Sequence, residues 1–519
     1  MTRRALPLLA LCAVLSACAS TVQVSHTVSS TGSSEASDGG FTSGTSTGSA
    51  VDPGTRGTIG GTTGGSQPGT SGGSVPVGTT GGSTSTGRST SGATGITAPV
   101  ATGSIPVKGP GWDAKNVYIG IITQKDTQAV YASFGANNVD PGDNEGQALA
   151  VATELNKHGG ILGRKVVLKF YDLKTLDTAS NPSVAGEAVC THFSQDIRVI
   201  AVWNSNTQVD QDPTLRTCLA AHKMPLFTTA ARAIDDQLMK GLSPYYFHTL
   251  MVSWDPLAIV LAQRLKAQGW MTGWNTTLGA PGNTPVKIGI LSDSTPTSMR
   301  LAKRLTAELA KVGYPGALSF HYSQASDGQS ASVQFFSGNK VTHVIVTDVE
   351  LTAFQVSAAT QRYKPRFGIT SYNDPWGNLE ASGVTPAGAN NGAMGVGWAP
   401  NLDVSDANDP HTEPGAAACK AVMARGGQNF AGKRLAAAWG FSLCDTLNLI
   451  AQGATKGNGF LAQNLKAGIL QVRATFPLAN GFRPGLWSDG PYVQGAARDL
   501  QWHNDCSCMK YNPTVTPLR

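Results

Sequence analysis

Charge is scarce in this sequence. Asp, Glu, Lys and Arg make up 14% of its 519 residues. There is no Lys/Arg-rich run and no basic stripe, which argues against a nucleic-acid partner. The formal charge is +6, or +4 once Arg3 and Arg4 of the N-terminal segment are set aside. Spread over this length, that is a weak field for any polyanion. After residue 18 no apolar run reaches the roughly 18–20 residues that a membrane-spanning helix needs. His-Glu-x-x-His and the P-loop are both missing. Gly44-Thr45-Ser46-Thr47-Gly48 matches the Gly-x-Ser-x-Gly nucleophile pattern, but it lies in a biased segment with no strand before it and no helix after it. Gly440-Phe441-Ser442-Leu443-Cys444 breaks the pattern and falls on an expected helix. Nine histidines offer bases, none in a recognisable catalytic setting. A secreted hydrolase is therefore the weaker reading, and no enzyme activity, metal or cofactor is expected.

What is present begins with a targeting segment. Arg3 and Arg4 precede a short apolar run, Ala5 to Leu15, ending in Leu15-Ser16-Ala17-Cys18. This resembles a bacterial lipobox, in which the Cys is lipidated and becomes the mature N-terminus. The chain is thus expected to be anchored to the extracytoplasmic face of a membrane through Cys18, not to span it. Residues 19–112 are Gly, Ser and Thr with scattered Pro and almost no charge. Without apolar periodicity they cannot offset their ordering entropy, so a disordered tether is expected. A coil of about 94 residues has an r.m.s. span of roughly 50–60 Å.

The folded part runs from 113 to 519, too long for one core and about right for two lobes. Its organising stretch is 148–172. Ala148, Val151, Ala152 and Leu155 form one face of a helix. Gly159-Gly160 stops it, and Val166 to Tyr171 is a strand. With Val117 to Thr123 upstream as a first strand, this makes a βαβ unit and implies a parallel sheet. A second opening of the same kind starts at Val286-Lys287-Ile288-Gly289-Ile290-Leu291.

The run Asn156-Lys157-His158-Gly159-Gly160-Ile161-Leu162-Gly163-Arg164-Lys165-Val166, followed by a strand ending in Tyr171-Asp172, resembles the type I periplasmic solute-binding proteins. It is most similar to their branched-chain amino-acid-binding branch, which serves ABC importers. The ending Gln501-Trp502-His503-Asn504-Asp505 also resembles that family's closing strands, so the resemblance spans about 115–505. It implies an α/β fold of two doubly wound parallel-sheet lobes joined by a multi-stranded hinge, closing on a small solute without covalent chemistry. It also implies an ABC permease as partner. The divisions expected are signal 1–18, linker 19–112, first lobe 113–250, second lobe 251–385, and 386–519 returning to the first lobe with closing hinge strands. A sensor or envelope binding module without an importer is the alternative.

Ligands of open α/β sheets bind at the carboxyl ends of the strands. In the first lobe two polar tetrads fall there, Asn204-Ser205-Asn206-Thr207 and Thr228-Thr229-Ala230-Ala231. These are positions where the resemblance implies contacts to a ligand carboxylate. Helix capping is the competing role for both. Trp254 either lines the cleft or packs the lobes together, and His248 is expected to be structural. In the second lobe Asp293, Asp348 and Tyr372-Asn373 with Asp374 fall at strand ends. The amino-acid-binding members place an acid where this chain has Asn373, which puts an amino-acid ligand in doubt. The candidate ligand contacts are Ser205, Asn206, Thr207, Thr228, Thr229, Ala230, Trp254, Asp293, Asp348, Tyr372 and Asn373.

Besides Cys12 and Cys18, six cysteines remain: Cys190, Cys218, Cys419, Cys444, Cys506 and Cys508. An even number in an exported chain points to disulfides, with 15 pairings open. The pairings favoured are Cys190–Cys218 and Cys419–Cys444, the first also implied by the resemblance. Cys506 and Cys508 either pair with each other or stay reduced.

Overall fold

The structure, a computed structural model, describes residues 105–133, 140–322, 328–348, 351–381, 383–410, 413–483 and 492–518. The signal, Cys18 and the linker up to residue 104 lie outside the described residues, as do Gly490 and Pro491.

The first sheet is built from β1 (Asn116–Thr123), β2 (Lys165–Asp172), β3 (Val202–Asn204), β4 (Leu226–Thr228) and β5 (Tyr246–His248). All pairings are parallel, in the order β2-β1-β3-β4-β5. Apolar residues run through β1 with little alternation because helices cover both faces of a parallel sheet. Helix α1 (Asn144–Lys157) follows β1, and Asp143 caps it by accepting from the Gly146 amide at 2.9 Å. Gly159 and Gly160 then turn the chain with φ of 91° and 71°. A Cβ on Gly160 would lie 1.9 Å from the Arg164 carbonyl oxygen, so only glycine fits this reversal.

A mini-hairpin of β6 (Trp274–Asn275) and β7 (Ala280–Pro281) precedes the second sheet. That sheet contains β8 (Ile288–Asp293), β9 (Leu318–Tyr322), β10 (His343–Val346), β11 (Arg366–Thr370) and β12 (Met394–Gly397). Its parallel part runs β9-β8-β10-β11-β12, the same winding as the first sheet. Two antiparallel strands, β13 (Ala496–His503) and β14 (Cys508–Pro517), extend it beyond β12.

The segment 386–519 is shared between the two lobes. β12, β13 and β14 belong to the second sheet, because β12 leaves one edge open and the β13–β14 hairpin pairs with it. The intervening helices α2 (Pro414–Arg425), α3 (Arg434–Lys456) and α4 (Ala462–Val472) return to the first lobe, where α2 and α3 pack on α1, and Tyr492 beyond them bridges His248 of β5.

Among the described residues there are three disulfides. Cys190–Cys218 and Cys419–Cys444 link helices within the first lobe, and Cys506 pairs with Cys508 at the β13–β14 turn. No helix among the described residues is long and apolar enough to cross a membrane.

Candidate functional site between the lobes

The two first-lobe tetrads lie side by side, as neighbouring strand ends must. Thr229 Oγ1 donates to the Asn204 carbonyl at 3.4 Å, and Thr207 Oγ1 accepts from the Ala231 amide at 3.3 Å. Much of their polarity is spent locally. Asn206 caps the short helix that follows by accepting from the Val209 amide at 2.7 Å. Asn204 Oδ1 accepts from the Asn206 amide at 2.9 Å, and Thr228 Oγ1 from the Ala230 amide at 3.2 Å. The Asn206 side-chain nitrogen is buried and has no hydrogen-bond partner. An orphaned buried donor of this kind is a place for an acceptor.

The second-lobe candidates are likewise engaged within the chain. Asp293 Oδ1 accepts from the Thr295 amide and hydroxyl at 2.8 and 2.7 Å. Asp348 Oδ2 accepts from the Tyr322 hydroxyl at 2.8 Å. Asn373 accepts from the Thr370 amide at 2.8 Å and donates to the carbonyls of Val346 and Asp348. Asn373 is therefore a fastener between β10 and β11 in this conformation. Tyr372 donates to the Val252 carbonyl at 2.6 Å and stacks on Trp254 with ring centroids 5.5 Å apart. Trp398 meets the other edge of Tyr372 and donates to the Leu250 carbonyl at 3.0 Å. All three aromatics are buried to within 1%. They pack the crossing segment 249–253 against the second lobe, so this part of the gap is filled by the chain's own side chains.

Beside that aromatic wall lies a cavity of about 610 Å³ shared by both lobes. The first lobe contributes Asp235, Asp236, Gln237 and Lys240. Trp254 and Asp255 come from the start of the crossover helix α5 (Trp254–Ala267), and Arg300, Leu301 and Arg304 from α6 (Pro296–Lys311). Arg300 Nε donates to Asp235 Oδ2 at 2.6 Å across the two lobes. That bond raises the Arg300 pKa. Asp235 also caps the helix behind it by accepting from the Leu238 amide at 2.8 Å. The Trp254 indole nitrogen and one oxygen of Asp236 are buried without a hydrogen-bond partner.

Of the sequence-derived candidates, only Trp254 lines this cavity. The tetrads are brought together near it but are not part of its wall. Asp235, Asp255, Arg300 and Arg304 were missed, because an aspartate at a helix start reads as a cap and an arginine along a helix as a solvated charge. The available signal was their place, seven residues past a strand end for Asp235, Asp255 and Arg300.

Other constellations carry less chemistry. Ser292 Oγ and His321 Nδ1 are 2.7 Å apart, but Ser292 is fully buried and presents no nucleophile to solvent. His248 is held by the Ala230 carbonyl and the Met251 amide, and burial pushes its pKa down to about 4. It is structural, as expected. Cys190, Cys218 and His222 are close enough to share an ion, but both sulfurs are committed to the disulfide.

Comparison with solved structures adds the decisive observation. An ABC transporter substrate-binding protein from Desulfitobacterium hafniense, in complex with Leu, superposes with a TM-score of 0.51 at 14% identity, covering 77% of this chain and 100% of its own. A solute-binding protein of an ABC transporter from R. palustris, in complex with 4-hydroxybenzoate, gives 0.54 at 12% identity, covering 78% and 97%. A type 1 periplasmic binding protein from Bordetella pertussis gives 0.54 at 14% identity, covering 77% and 100%. The chain has the type I periplasmic binding protein fold. No protein-family model and no curated protein sequence matches it. Both parallel sheets carry polar groups at their carboxyl edges. In the first sheet these are the tetrads, and in the second Asp293, Asp348 and the loop from Thr370 to Asp374.

Proposed function

We propose that this chain is an extracytoplasmic, lipid-anchored binding protein that captures a small polar solute between its lobes and delivers it to an ABC-type importer. The solute is amino-acid-like or another carboxylate. The observation that carries this reading is the cavity shared by the two lobes, bridged by Arg300 and Asp235. The neighbours of known structure support it, since they are transporter substrate-binding proteins.

In this reading Ser205, Asn206, Thr207, Thr228, Thr229 and Ala230 receive the ligand from the first lobe. Trp254, Asp293, Asp348, Tyr372 and Asn373 close on it with the second. The bonds now made within each lobe are exchanged for bonds to the ligand as the lobes shift, which is hinge closure without covalent chemistry. Specificity then comes from polar groups that must be matched when they lose water.

Native mass spectrometry of the gently purified protein tests the reading. A bound small molecule is expected, and the same compound should raise the melting temperature when added back. A protein that carries nothing and that no polar metabolite stabilises would contradict it.

A further inference from the structure

We propose that the Cys506–Cys508 disulfide, at the tip of the β13–β14 hairpin, is a thiol–disulfide exchange site that takes a small free thiol. The three disulfides among the described residues do different things. Cys190–Cys218 and Cys419–Cys444 close loops of 28 and 25 residues and join helices; Cys190 is fully buried, and Cys419 and Cys444 are each 3% exposed. Such bonds remove much freedom from the unfolded chain. Cys506–Cys508 spans a separation of 2, so it removes little. Nor does the hairpin need it, because β13 and β14 are already paired from Ala496–Pro517 to His503–Cys508.

The two sulfurs sit in unlike surroundings. Cys506 is exposed in the turn, open to attack, while Cys508 is buried at the first position of β14. Asn408, from the turn Asp406–Asn408 of a distant segment, aims its side-chain amide at the Cys508 sulfur at 3.1 Å. The same amide reaches Ser405 Oγ at 3.2 Å and the Met509 carbonyl at 3.3 Å, which hold it there. A sulfur in a disulfide is a weak acceptor, but a thiolate is a strong one. His503 and Lys510 flank the turn, both within 4 Å of Asp505.

The step balances without an added oxidant. An incoming thiolate attacks the Cys506 sulfur and forms a mixed disulfide. The Cys506–Cys508 bond breaks, and its electron pair leaves on the Cys508 sulfur, where the Asn408 N–H receives it. A second thiol attacking the mixed disulfide releases the oxidised small thiol and leaves Cys506 reduced.

The oxidised full-length protein is incubated with limiting reduced glutathione, quenched by alkylation and mapped by peptide mass spectrometry. Glutathione should appear on Cys506 and the alkyl group on Cys508, with the other two disulfides intact. Asn408→Ala should slow the reaction about tenfold, the loss of one hydrogen bond to a charged group. Asn408→Asp, which sets a carboxylate beside the departing thiolate, should slow it further. The proposal is overturned by adducts arising first at Cys190, Cys218, Cys419 or Cys444, by glutathione on Cys508, by no adduct, or by an Asn408→Ala rate equal to the parent's.

Discussion

At the scale of single residues, Arg300 and Asp235 form the charge pair that spans the two lobes at the cavity. Arg300 is partly exposed and Asp235 is 5% exposed. Removing the arginine costs more than a surface pair is worth, because the carboxylate left behind is shielded from water. Arg300→Ala is expected to destabilise the unliganded protein by about 1–2 kcal/mol in urea unfolding, and a melt identical to the parent's would deny the pair any role in closure. A second residue-level effect is pH. Burial raises the carboxyl pKa of Asp374, Glu380, Asp403 and Asp445 to about 7. An acid that is harder to ionise when folded binds more protons folded than unfolded between about pH 4 and 7. Its stabilising effect is therefore present at low pH and lost as pH rises through that window. His248 and His343, whose pKa values burial lowers to about 4 and about 3, work in the opposite sense. The test is for this reason a comparison with Asp403→Asn. The Asp403 oxygen that accepts from Ser371, Ala399 and Tyr511 is kept by an asparagine, while its other oxygen has no partner to lose. Asp403→Asn should gain stability relative to the parent as pH rises from 5 to 8; parallel stability curves would show that Asp403 does not titrate there.

At the scale of elements, the two sheets repeat one winding, β2-β1-β3-β4-β5 and β9-β8-β10-β11-β12. The loops that matter follow β3, β4, β8, β10 and β11. Ser205→Ala combined with Thr229→Ala is expected to abolish ligand-induced thermal stabilisation. The unliganded melt should hardly move, since the Thr229 hydroxyl makes only a 3.4 Å bond. An undiminished shift would place the ligand elsewhere. These elements differ in how far the sequence announces them. β1, β2, β8 and β10 are continuous apolar runs and could be read directly, and Gly159-Gly160 marked the turn before β2. Strands β3 to β5 have three residues each; β3 and β4 were visible mainly through the polar tetrads after them, and β5 has no such marker. The β6–β7 mini-hairpin was hidden in a Gly-rich loop, where two-residue strands leave no period to detect. The addition of β13 and β14 to the second sheet was not legible either, because antiparallel pairing with β12 is decided by a partner about a hundred residues away in the chain. The site was legible as an edge but not as a wall. Asp235 and Arg300 come together only because two helices from different lobes approach, which no local pattern encodes.

At the scale of the molecule, the chain crosses between lobes near 249–253, again between β12 and α2, and again between Tyr492 and β13. The aromatic cluster of Trp254, Tyr372 and Trp398 sits against the first crossing. Packed aromatics at a hinge favour discrete arrangements over continuous bending. The anchoring proposed for Cys18 belongs to this scale as well. Cys18→Ala should move the protein from the membrane fraction to the soluble extracytoplasmic fraction, and unchanged membrane association would remove the lipid from the account. The central claim is that the two lobes close on a small solute. Small-angle X-ray scattering of residues 105–519, with and without the compound found by native mass spectrometry, tests it most directly. A smaller radius of gyration on binding, with Arg300→Ala more expanded than the parent in the free state, is the predicted result. Identical scattering curves at ligand saturation would contradict it.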